Sequence, residues 1–174
     1  AAAAFQSPRD LMAQAVEDFR AGRIEQSVAG FDRLAKLIPD QAPELWQRGI
    51  AQYYAGRFRE CRDMFISHRT VNPADVENAA WHFLCVARAE SPDTARRQIL
   101  PVGPDARVPM REVYQMFQGR ATAAQVLAAA GSDSSAQFFA RLYVGLYLEA
   151  TGEPARGREH IAMAAQARFA GVGG

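Results

Sequence analysis

Residues 19–31 read FRAGRIEQSVAGF and residues 53–65 read YYAGRFRECRDMF, and laying one over the other decides how the chain is organised. The offset is 34 residues, Gly22 to Gly56. The same shift brings Leu11 onto Leu45, Ala15 onto Gly49, Phe19 onto Tyr53, Ile24 onto Phe58, Ser27 onto Cys61, Phe31 onto Phe65 and Pro39 onto Pro73. A fixed self-similarity of this length is the mark of a repeated two-helix unit that buries its apolar face against its neighbour. Within each unit the apolar residues recur at helical spacing, as in Ile24, Val28, Phe31, Leu34 and Ile38, or Phe58, Cys61, Phe65 and His68. Alternation of the strand kind is absent.

Punctuation extends the helical reading to the whole chain. Ser7-Pro8, Asn72-Pro73 and Ser91-Pro92 each pair a capping residue with a proline suited to the first helical turn, and Thr122 to Gln125 matches the reciprocal capping box. Pro43, Pro109 and Pro154 open apolar-periodic runs, while Gly22, Gly56, Gly119, Gly131 and Gly152 follow the ends of such runs. About ten helices joined by short turns result. Alanine, at about a fifth of positions, suits them through its propensity and its small side chain.

The expected fold is therefore all-α, a single helical domain over residues 1–174. It divides into an N-terminal tail (1–6), two regular repeats (7–73), a degenerate repeat (74–99), an irregular helical pair (100–131), a last hairpin (132–170) and a C-terminal tail (171–174). Gly145 and Gly152, seven apart like Gly49 and Gly56, restore the repeat spacing in that hairpin.

Composition narrows the function. The chain of 174 residues holds 20 basic and 19 acidic groups, a net charge of +1, which offers no excess for a polyanion and argues against a nucleic-acid binder. No stretch reaches the length of uninterrupted apolar sequence that spans a bilayer, so attachment to a membrane would be peripheral. The start, Ala1 to Ala4, has neither a basic nor an apolar targeting segment and reads as what remains after cleavage at a small-residue site. Glycines stand singly at turns, and the three histidines, His68, His82 and His160, show no metal-ligand spacing; no cofactor or metal is expected. One catalytic alternative rests on His68, Glu77 and His82, which could gather across the Asn72-Pro73 turn as a metal or acid-base site.

The small residue midway along the first helix (Ala15, Gly49), the turn glycine (Gly22, Gly56), the small residue early in the second helix (Ser27, Cys61), the aromatic four later (Phe31, Phe65) and the closing proline (Pro39, Pro73) resemble the tetratricopeptide repeat, or TPR, family. The resemblance implies a short right-handed superhelix with an irregular middle and a non-catalytic role as a scaffold that binds a partner protein. The family's spacing assigns the inner surface to Met12, Val16 and Phe19 in the first unit and to Trp46, Ile50, Tyr53 and Tyr54 in the second. Members that clamp a terminal carboxylate carry Lys and Asn at several of these places. Met12, Val16, Trp46 and Ile50 stand there instead, which favours a more apolar ligand, either an amphipathic helix or an extended apolar segment. The alternative, that these aromatics pack beneath the chain's own later helices, weighs more for Trp46 and Ile50 than for the tyrosine pair.

Two further features leave alternatives open. Of the basic residues all but Lys36 are arginine, and Arg59, Arg62 and Arg69 share one side of a helix, where they would meet an acidic partner or simply form a solvated face. Cys61 and Cys85 lie twelve residues either side of Pro73 and could form a disulfide, although reduced thiols packed in the core fit the repeat's small-residue site better.

A narrower similarity is carried by Asn72-Pro-Ala-Asp75-Val-Glu77-Asn-Ala-Ala-Trp81-His-Phe-Leu-Cys85, by Ala95-Arg96 and by Pro109 to Phe117, and covers about residues 42–165. These resemble TPR-like proteins of cyanobacteria and plastids, some associated with the thylakoid lumen. That implies a peripheral subunit or assembly factor of a photosynthetic membrane complex on its lumenal side; a TPR adaptor of a bacterial envelope is the other location considered.

Overall fold

A computed structural model of the chain describes residues 6–166. The alanine start and the glycine tail lie outside the described residues, as do the last residues assigned above to the final hairpin. Every regular element among the described residues is helical, and no strand occurs. Among the described residues there are ten α-helices: α1 (Pro8–Arg20), α2 (Ile24–Leu37), α3 (Trp46–Tyr54), α4 (Phe58–His68), α5 (Val76–Ala89), α6 (Pro92–Arg97), α7 (Met110–Phe117), α8 (Ala123–Ala130), α9 (Ser134–Ala150) and α10 (Pro154–Ala164). A 3-10 helix, Pro39–Glu44, precedes α3. The chain forms two compact units, Ala1–Asn72 and Pro73–Gly174, and the division falls where the regular repeat ends.

In the first unit α1 packs on α2, α2 on α3 and α3 on α4, two hairpins in succession. The turns between the paired helices are built alike. Gly22 and Gly56 both sit at φ +74°, a left-handed conformation that side chains resist. In each turn the glycine N–H and the following arginine N–H bond back to helix carbonyls: Gly22 to Phe19 and Arg23 to Asp18, Gly56 to Tyr53 and Arg57 to Gln52. The small residues at the helix crossings also act alike. Ser27 Oγ donates to the Ala15 carbonyl at 2.8 Å, and Gly49 takes the Phe65 ring so closely that a Cβ there would lie 2.6 Å from ring carbon Cε2. Beneath them Ala15, Val28, Phe31 and Ala51 form one buried cluster, and Leu11, Leu34 and Leu45 another.

In the second unit α5 is buried along almost its whole length and packs on α6, α7 and α9, with α8 against α7 and α9 and α10 against α9. Phe83, Phe117, Tyr143 and Tyr147 fill its centre with edge-on and tilted ring contacts at 5.1–6.4 Å. The α9–α10 hairpin closes through glycine: a Cβ on Gly157 would meet the Gly145 carbonyl at 2.6 Å and the Glu149 N–H nitrogen at 2.9 Å.

The capping residues Ser7, Ser91 and Thr122 cap as expected, Ser7 and Thr122 with reciprocal boxes through Asp10 and Gln125. At α5 the expectation fails. The capping residue is Asp75 rather than Asn72, because the Pro73 carbonyl accepts from Gly103 N–H and so belongs to a turn ahead of the helix. Pro43 likewise does not open α3; it lies within the 3-10 helix, and α3 starts at Trp46.

Candidate functional site

Two places gather candidate functional side chains, one in each unit. In the first unit, Met12, Val16 and Phe19 on α1 pack half-buried against the Ala15 cluster. Phe19 meets Tyr54 of α3 at 5.7 Å between ring centres, so the exposed sides of α1 and α3 form one apolar surface. On α3 the residues Trp46, Ile50 and Tyr54 recur every fourth position; Trp46 is 40% and Tyr54 53% exposed, and Ile50 is half-buried. Tyr53 is instead buried at 6%, packed edge-on between Tyr54 and Phe58. The balance weighed in the sequence thus reverses for two residues: Trp46 reaches solvent, while one of the tyrosine pair goes into the core, since position 53 faces the α4 side of its helix.

The arginines of α4 do not form a uniform patch. Arg59 is exposed, Arg62 is engaged by Asp63 of its own helix at 2.8 Å, and Arg69 is half-buried just after the helix end. His68 lies buried in the first unit, where its Nδ1–H donates to the Pro43 carbonyl at 2.8 Å and ties α4 to the 3-10 helix. His82 is buried on α5. Glu77, the third member of that trio, has both carboxylate oxygens engaged, as follows. Among the described residues no group of three His, Cys, Asp or Glu side chains could hold a metal ion. Cys61 and Cys85 are both disulfide-bonded, and no cysteine is free. Complete burial at a small-residue position accommodates a disulfide sulfur as readily as a thiol, which is why packing favoured the reduced state without deciding it.

The second place was not legible from spacing. Arg107, in the irregular segment before α7, reaches three carboxylates: Asp75 and Asp105 through Nη2 and Glu77 through Nη1, each at 2.6 Å. Its guanidinium carbon also lies 5.9 Å from the centre of the Phe139 ring. Asp105 accepts from the Val76 N–H at 3.1 Å, closing the start of α5 from outside the helix. The hydroxyl of the fully buried Tyr143 donates to the second oxygen of Glu77. Burial, with the Glu77 charge added to it, holds that phenol protonated well above its usual range, so it acts here as a donor. Beside Arg107 a shallow depression of about 410 Å³ is lined by Val108, Asp133, Ser135, Ala136 and Phe139.

This arrangement fixes a pH dependence. Burial raises the Asp105 carboxyl, but hydrogen bonds from the Arg107 side chain and from the Val76 and Arg107 backbones outweigh it and bring the pKa below 3.8. A carboxyl depressed on folding stabilises fully above its unfolded pKa and loses that contribution as pH falls through the folded value. The window therefore lies below about pH 4. Urea unfolding between pH 5 and pH 2.5 is expected to show a loss of stability there that is smaller in Asp105→Asn; equal acid slopes in the two proteins would refute the tie.

No protein-family model matches the sequence, and no curated protein matches it. No helix among the described residues is long and apolar enough to cross a membrane.

Proposed function

We propose that the chain is a TPR-like, non-catalytic scaffold that holds a partner protein on the α1–α3 surface of its first unit. The observation that carries the reading is the exposure of Trp46 and Tyr54, four-residue neighbours of Ile50, beside the half-buried Met12, Val16 and Phe19. Large aromatics left in water on a surface framed by apolar side chains are the residue types that anchor interfaces. The like-built turns at Gly22 and Gly56 and the matched crossings at Ser27 and Gly49 support the TPR-like assignment. The partner class we favour, by resemblance of residues 72–117, is a subunit of a photosynthetic membrane complex on the lumenal side, with this chain as peripheral subunit or assembly factor. Two disulfide-bonded cysteines suit an oxidising compartment of that kind.

The test is a paired measurement on the complex isolated from its native source. Trp46→Ala with Tyr54→Ala is expected to weaken association at least about tenfold, since a central aromatic anchor contributes roughly 2 kcal/mol or more. The double variant is expected to stay folded by circular dichroism with a modest drop in thermal midpoint, since Trp46 is 40% and Tyr54 53% exposed while both still pack in part on the unit. Undiminished association in the double variant would end the proposal.

A further inference from the structure

Resting on that reading, we infer that the occupant of the α1–α3 surface is an acidic amphipathic helix, with apolar residues toward Trp46, Ile50 and Tyr54 and carboxylates along its flank. The charge distribution makes the case. At 100° per residue, Arg9 and Arg20 on α1 lie seven before and four after Val16, within about 40° of it around the helix. Both are exposed, and among the described residues neither makes an ion pair. Neighbouring arginines are committed elsewhere: Arg23 to Asp18 at 2.8 Å, Arg48 to Asp32 at 2.7 Å and Arg57 to Glu25 at 3.0 Å.

The α3 side of the surface offers these two guanidinium groups no acid. The α3 sequence, WQRGIAQYY, contains none. On α1, Asp10 is bound into the Ser7 capping box and Asp18 accepts from Arg23 and Gln14, while Glu17, three residues before Arg20 and about 60° round from it, is the one acid that borders the strip. An apolar strip bordered by two exposed cations against one acid disfavours a basic occupant, which would place like charges together, and favours one that brings its own carboxylates. The four-residue recurrence of Trp46, Ile50 and Tyr54 matches the anchors of a facing helix better than the two-residue recurrence of a strand.

The probes are three helical peptides of about five turns, with identical leucine and phenylalanine faces and with Glu, Gln or Lys at the flanking positions. Binding to the full chain is followed by anisotropy of a dye on the peptide. The Glu peptide is expected to bind about tenfold more tightly than the Lys peptide at low salt, the gap narrowing as salt rises. Arg9→Glu with Arg20→Glu should invert the order, and Arg9→Gln with Arg20→Gln, whose fold is checked by circular dichroism, should erase it. Equal binding of all three peptides would overturn the charge assignment while leaving the apolar surface as a docking face. Binding of the Glu peptide that survives Trp46→Ala with Tyr54→Ala would place the acidic ligand elsewhere and overturn the inference. Binding of none would also overturn it, and the docking reading would then stand or fall on the native partner measurement alone.

Discussion

Phe65→Ala is expected to lower the stability of the chain by about 4 kcal/mol, the range for emptying a fully buried aromatic site. The ring is 1% exposed and fills the space that Gly49 leaves where α3 crosses α4. The same contact makes Gly49→Ala costly in the parent protein. Alanine gains about 1 kcal/mol of helix propensity over glycine, but its Cβ would lie 2.6 Å and 2.9 Å from ring atoms Cε2 and Cζ. A buried ring cannot swing away as a lysine tip would, so overpacking of about 1–3 kcal/mol wins. Once Phe65 is alanine the obstruction is gone. The double variant should then be less destabilised than the sum of the singles by 1 kcal/mol or more, and chemical unfolding of the four proteins measures that coupling. Strict additivity would show that the two residues do not share the crossing as described.

The second large effect belongs to the α9–α10 hairpin. Gly157→Ala is expected to destabilise by about 2–3 kcal/mol in spite of its better helix propensity. The atoms a Cβ would strike, the Gly145 carbonyl oxygen and the Glu149 nitrogen, are backbone, so only a separation of the helices relieves the clash. An exposed glycine-to-alanine change in a helix has the opposite sign. The sign of the change in unfolding midpoint is therefore the readout, and a rise would mean that the helices are further apart than described.

How much of this could be read in the chain beforehand differs between the two units for a physical reason. In the first, the signals are local or one repeat apart: a glycine that must take a positive φ, a small residue where two helices touch, an aromatic four positions on. Each can be recognised because its twin lies 34 residues away, as with Gly22 and Gly56. The exposed residues of the candidate surface were nameable from the same register, yet position 53 against position 54 was not separable, since one step around a helix is 100° and only packing tells which tyrosine turns inward. In the second unit, the decisive contacts join Asp75 and Glu77 to Asp105 and Arg107 and to Tyr143 across long separations with no repeat to calibrate them. Nothing about a proline-rich interruption announces that its arginine will fasten the start of a helix, and the displaced cap at Asp75 follows from that same unseen partnership.

The turn tips also have an experimental use. Space around Gly22, Gly56, Gly131 and Gly152 is open, with no atom within 4 Å of where a Cβ would stand. A short tag or a spectroscopic reporter spliced in beside one of these residues would project into solvent, clear of the helix crossings. The architecture therefore provides its own handles for following the proposed docking event.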